Sequence, residues 1–155
     1  MTDPNTVPTK YAGDDSDYPR APARKDGSLG MTYVSVTVAA ATASGQIIGL
    51  VPVRKGARLV QGATQLYVAD LDTGTDVTLD IGFIYDDNTT YTNDPNAFAS
   101  ALTTAQTGGL ITFDEQAGLS YEAEADGWIA VTLGGGQPTT TEGAISGQIV
   151  LAYSG

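Results

Sequence analysis

The chain has 155 residues, with 19 Gly and 41% hydrophobic residues, enough for one domain with a sizeable core and too few for two. It has no Cys and no His, which excludes disulfides, thiol nucleophiles, Cys/His zinc sites and imidazole bases. Its net charge of −11 is segregated: residues 1–58 hold all seven basic residues and five acids, whereas Leu59 to Gly155 holds 13 acids and no Lys or Arg. Such a body repels nucleic acid and anionic lipid, so neither is expected as a partner.

Residues 1–30 form a first region. Four of the seven prolines lie there (Pro4, Pro8, Pro19, Pro22), and aliphatic residues are nearly absent beyond Val7 and Leu29. With no period of 2 or 3.6, the segment cannot bury enough apolar surface to offset its ordering entropy. Tyr11 and Tyr18 stand among Arg20, Arg24 and Lys25, which suits an extended arm laid on another surface. Met1 to Pro4 shows neither the basic nor the apolar stretch of a secretory signal. The longest apolar run, Ile47 to Val53, contains Pro52 and is far too short for a membrane span.

From Met31 to Gly155 the pattern is that of an all-β domain. Val34, Val36 and Val38 alternate with Ser35 and Thr37, a half-buried strand. Gln46 to Val53 is a second strand, closed by Pro52 and the Lys55-Gly56 turn. Leu59 to Leu71 is a third, with a bulge expected at Gly62. Val77, Leu79, Ile81, Phe83 and Tyr85 carry the cleanest period-2 face. Next comes one short helix: Asp94-Pro95 offers an N-cap with Pro at the first helical position. Phe98, Ala101, Leu102 and Ala105 supply its stripe, and Gly108 its stop. Strands at Leu110 to Phe113, Leu119 to Glu124, Trp128 to Leu133 and Ile145 to Tyr153 bring the expected number to eight. Short strands at this spacing with Gly-rich turns indicate an antiparallel sandwich or barrel.

In the hairpin Tyr121 to Leu133, a two-residue Asp126-Gly127 turn would put Glu122 and Glu124 on the same face as Ile129 and Val131. A three-residue loop, Ala125 to Gly127, resolves the conflict. It predicts Tyr121, Ala123, Ile129, Val131 and Leu133 facing in, with Glu122, Glu124 and Trp128 facing out. The single Trp is then expected to be exposed, a candidate interface anchor.

Candidate chemistry is sparse, and neither catalysis nor a cofactor is expected. Glu122 and Glu124, like Asp114 and Glu115, are paired carboxylates of the kind glycosidases use, but a solvated strand face explains them. Asp70, Asp72, Gly74 and Asp76 resemble part of a calcium loop without its full ligand set, and Asp86, Asp87, Asn88, Asn93 and Asp94 form a second oxygen-rich cluster. Turn chemistry suffices for both. Gly134-Gly135-Gly136 lacks the Lys-Ser/Thr and the helix start of a phosphate loop.

The run Val51-Pro52-Val53-Arg54-Lys55-Gly56-Ala57-Arg58-Leu59 is similar to a stretch frequent in small tailed-phage head proteins. A strand like Leu66-Tyr67-Val68 follows, then Thr75 to Gly82, an Asp-Pro, Asn, Ala-Phe segment at Asp94 to Leu102, and a C-terminal strand Gly147 to Tyr153. Over residues 46–153 the chain thus resembles bacteriophage capsid decoration (cement) proteins. The resemblance implies a jelly-roll-like β-sandwich, usually trimeric, on the outer capsid surface of the virion. There it would cement the major capsid protein lattice after assembly in the host cytoplasm.

The expectation is therefore a structural protein with an arm (residues 1–30), a sandwich (31–155), and partner-binding residues Tyr11, Tyr18, Arg20, Arg24, Lys25 and Trp128. A head-fibre, neck or tail component is the nearest alternative. A carbohydrate-binding module, with Trp128, Tyr85 and Tyr91 as stacking platforms, is the alternative of another class.

Overall fold

A computed structural model of the chain describes residues 29–135 and 141–153. Strand β1 (Leu29–Val38) places Val34, Val36 and Val38 inward and Leu29, Met31, Tyr33, Ser35 and Thr37 outward, as its alternation dictates. It then turns into β2 (Ile47–Val53), β3 (Ala57–Leu59) and β4 (Gln65–Val68). The expected third strand is thus two short ones. A single 3-10 turn at Gln61–Ala63 replaces the bulge anticipated at Gly62.

The remaining strands among the described residues are β5 (Thr78–Tyr85), β6 (Asp94–Leu102), β7 (Gly109–Leu110), β8 (Gly127–Gly134) and β9 (Gly143–Tyr153). All pairings are antiparallel. One sheet runs β1-β9-β4-β7, with β3 also on β9, and the other β2-β8-β5-β6. With β3 set aside, the first strand pairs the last and the second pairs the next to last, which is jelly-roll connectivity. Between the sheets, Val34, Val36, Leu66, Ile145 and Ile149 of one face Ile48, Leu79, Ile81, Phe83 and Val131 of the other in one buried core.

β9 is the longest strand, and two short strands share its second edge. β4 pairs with Ile145 to Gln148 and β3 with Leu151 to Tyr153. The gap is bridged at Val150, whose carbonyl accepts from the Val60 N–H at 2.9 Å and whose N–H donates to the buried Thr64 hydroxyl at 3.0 Å. Both backbone polar groups of Val150 are thus paired where the neighbouring ladder is interrupted, as burial requires.

The helix expected from Asp94 is a strand. A stripe of Phe98, Ala101 and Leu102 is too short to hold a helix unaided, whereas β5 offers an open ladder edge that must be paired. β6 meets that edge with two bulges: Leu79 pairs Leu102, Ile81 pairs Ala99 and Phe83 pairs Asp94. Carboxylates take the amides the bulges free, Asp80 accepting from Ala101 N–H at 2.7 Å and Asp114 from Ser100 N–H at 3.2 Å. Ala101 sits at φ +50° to make the first bulge. Gly82 is what permits the second, because a Cβ there would collide with the Asp94 carbonyl and the backbone of Pro95.

The hairpin from Tyr121 is also replaced. Gln116–Leu119 is a 3-10 turn and residues 120–126 are irregular, so β8 pairs with β2 and β5 instead. The inward set of β8, Ile129, Val131 and Leu133, is as expected.

Trp128 does point away from the core, yet it is only 1% exposed, which overturns its reading as an exposed anchor. Directly opposite it lie Pro52 on β2 and Ile84 on β5. Trp128 forms a second buried cluster with Ile84 and Ala130, against which the half-buried Ile47 packs. Strand parity set the side of the sheet. Its apolar neighbours on that side include Ile84 and Ile47 of other strands and Ala130 of its own.

Candidate protein interface

The outer face of the five-stranded sheet collects five of the six large apolar side chains that are exposed among the described residues. Residues directly opposite in an antiparallel pair share a face, so the registers define five rows across this one. They are Leu29, Ala152 and Arg58; Met31 and Val150; Tyr33, Gln148 and Gln65; Ser35, Ser146, Tyr67 and Leu110; and Thr37 and Ala144. Leu29 and Met31 are each 69% exposed, Tyr33 and Leu110 each 66%, and Tyr67 50%. The strands of this sheet contain one charged residue, Arg58. Its guanidinium donates two hydrogen bonds to Glu122, at 2.6 and 3.0 Å. On a chain of net charge −11, a partly apolar sheet face about 14 Å wide, whose one charged residue is the paired Arg58, has the composition of a protein-binding patch.

A second concavity, of about 690 Å³, lies at the end of the four-stranded sheet where β5 leaves toward β6. Tyr91, Tyr121, Asn93, Asp94, Glu122 and Glu124 line it. Its walls are held by side-chain bonds to backbone. Asp87 accepts from the Thr89 and Thr90 amides and from the Thr89 hydroxyl. These bonds hold its carboxyl well below the usual range, at about 2. Asn93 Oδ1 accepts from Tyr85 N–H at 2.8 Å, and the rings of Tyr85 and Tyr91 lie 5.3 Å apart. The Tyr85 and Tyr121 hydroxyls are 2.9 Å apart. Burial, then the bond to Tyr85, pushes the Tyr121 phenol well above its ordinary value.

Of the residues expected to bind partners, Tyr11, Tyr18, Arg20, Arg24 and Lys25 lie outside the described residues, and Trp128 is buried. Tyr85 and Tyr91 do come together, but Trp128 lies on the sheet's other face and Tyr85 is 2% exposed. The three-platform carbohydrate surface is therefore not formed. Glu122 and Glu124 both border the groove, with Glu122 engaged by Arg58.

In the loop from Asp70 to Asp76, carboxylates bond the loop's own backbone. Asp72 accepts from Gly74, Asp76 and Val77 N–H at 2.7 to 2.9 Å, and Asp70 from Asp72 N–H. Sequence reading passed over Leu29, Met31, Tyr33, Tyr67 and Leu110. The available signal was the outward register of β1, where three large apolar residues occupy alternate positions on a face that ought to be polar.

No protein-family model matches the chain, and no curated protein matches it. Its fold is shared with chains of solved structures. One, in the capsid of Ralstonia phage GP4, is 24% identical, with a TM-score of 0.66 over 89% of this chain and 90% of that one. Another, in the cyanophage Pam1 capsid asymmetric unit, is 18% identical, with a TM-score of 0.61 over 92% and 98%.

Proposed function

We propose that the chain is a virion structural protein that binds the outside of a phage head and cements the major capsid protein lattice. The observation that carries this reading is the fold likeness, which runs over nearly the whole of both chains in two phage capsids. The partly apolar outer face of the five-stranded sheet supplies a contact surface. The 13 acids beyond Leu59 favour the solvent side of a shell over contact with packaged DNA. In this reading Tyr11, Tyr18, Arg20, Arg24 and Lys25 add contacts from the arm. The homotrimer implied by the resemblance would multiply both by avidity. Binding only the assembled lattice stabilises that lattice by mass action, and no catalytic step is involved.

The test is co-sedimentation with mature heads that lack decoration. Three full-length proteins are compared: the natural chain, Met31→Glu with Tyr67→Glu on the sheet face, and Arg20→Ser with Arg24→Ser in the arm. Saturable binding by the natural chain, lost in the sheet-face variant, is the expected result. Loss only in the arm variant would move the contact to the arm. An absence of binding by all three would sink the reading.

A further inference from the structure

The groove beside Tyr91 plays no part in that reading, and its lining is suited to a basic, proline-spaced peptide. Tyr91 and Tyr121 are both partly exposed along it, and Asp94, Glu122 and Glu124 border it. A further hollow of about 430 Å³ extends to Lys55, so Tyr91, Glu122 and Glu124, which line both, form the ridge between two depressions. The ridge is fixed before any ligand arrives, by the Asp87 turn and the Asn93 bond to Tyr85. A preformed wall lowers the cost of binding.

The chain itself contains a matching peptide. Pro19-Arg20-Ala21-Pro22-Ala23-Arg24-Lys25 has two prolines three residues apart and an arginine two residues after the second. In a polyproline II helix of three residues per turn, residues three apart fall on one edge. Such edges dock between aromatic rings, and an arginine beyond them pairs with a carboxylate. Position agrees with chemistry. The described chain begins at Leu29, which is opposite Ala152, and Ala152 is opposite Arg58, the partner of Glu122 on the groove rim. Two strand spacings, about 10 Å, separate Leu29 from Arg58. The four steps from Lys25 to Leu29 reach about 13 Å when extended.

We propose that this groove is the seat for Pro19–Lys25 of the same chain, with the prolines against Tyr91 and Tyr121 and Arg24 against Glu124 and Asp94. The tether keeps the segment at high effective concentration, so docking is intramolecular. This concerns the free protein and stands whether or not a shell is its partner. For a chain that does bind a shell, the groove would hold the arm until the shell competes for it.

The absence of native cysteine makes the test direct. A nitroxide is attached to Ala23→Cys in the isotope-labelled full chain, and amide signals are compared with the label oxidised and reduced. The expected result is loss of the Tyr91, Asn93 and Glu124 amide signals while Ile145 on β9 keeps its own, and return of the lost signals on adding Arg24→Glu. Undiminished signals at the groove would overturn the proposal, as would losses that persist unchanged with Arg24→Glu. A mixture of spin-labelled, isotope-free chains with isotope-labelled, spin-free chains should show no loss. Loss there would assign the segment to a second copy and equally overturn it.

Discussion

The hydroxyl groups of Tyr85 and Tyr121 lie 2.9 Å apart although 36 positions separate them in the chain. Tyr85 ends β5, and its oxygen also accepts from the Glu124 N–H at 3.2 Å. This one phenol therefore ties the irregular stretch before β8 to the sheet. Tyr85→Phe is expected to cost about 1–2 kcal/mol for two lost bonds, and Tyr121→Phe about half of that. Urea unfolding of both single variants and the double variant measures it, and the double should cost less than the sum because the bond is shared.

Tyr121 also carries a pH consequence. Its phenol is raised by burial and by Tyr85, so the unfolded chain loses this proton first. The Tyr121 contribution to stability is complete below the ordinary tyrosine value of about 10 and declines as pH rises above it. An ultraviolet titration of the native chain should show one fewer ionising tyrosine in Tyr121→Phe only at the most alkaline end.

At the acid end the responsive group is Asp87, lowered from 3.8 to about 2, first by the Thr89 hydroxyl. A depressed carboxylate stabilises above its unfolded value and loses that contribution as pH falls through its folded one. The turn before Tyr91 should therefore loosen between pH 3.8 and about 2. Amide shifts of Thr89 and Thr90 report it. Asp87→Asn, which keeps an acceptor oxygen but does not titrate, should flatten the response.

Gly82→Ala should be among the most damaging single-methyl changes in the chain. Its Cβ would strike the Asp94 carbonyl and the Pro95 backbone, and neither can swing aside as a side chain would. A loss of about 3 kcal/mol or more is expected. Gly30, where an added Cβ meets nothing within 4 Å, is the control. Thermal melts of both variants decide it.

Trp128 is the chain's one tryptophan and is 1% exposed. Native fluorescence should be blue-shifted and resistant to acrylamide, with a red shift on unfolding. Trp128→Ala should cost about 3–5 kcal/mol, the range for a buried aromatic. Native emission at the wavelength of free tryptophan would contradict the packing against Pro52, Ile84 and Ala130.

Much of the fold is legible in the residue order. The alternation of Val34, Val36 and Val38, of Leu79 through Tyr85, and of Ile129 through Leu133 dictates strands and their inner faces. A side chain's side of a strand follows from a period of two, whatever the rest of the chain does. What that period leaves open is which other segment comes to lie against either face or edge.

Asp94 to Leu102 has helix-like ends, yet the unpaired edge of β5 and a passage over Gly82 make it a bulged strand. Trp128 points away from the core as its parity requires, and Pro52 and Ile84, distant in sequence, are what lie beside it. Leu29, Met31 and Tyr67 are apolar residues that strand pairing leaves in the open, gathered by β9 onto one face. Local pattern thus determined the elements and their orientation, because it acts through backbone geometry within a few residues. Tertiary pairing decided burial, the groove walls and the exposed face, because these depend on contacts between strands that the sequence holds far apart.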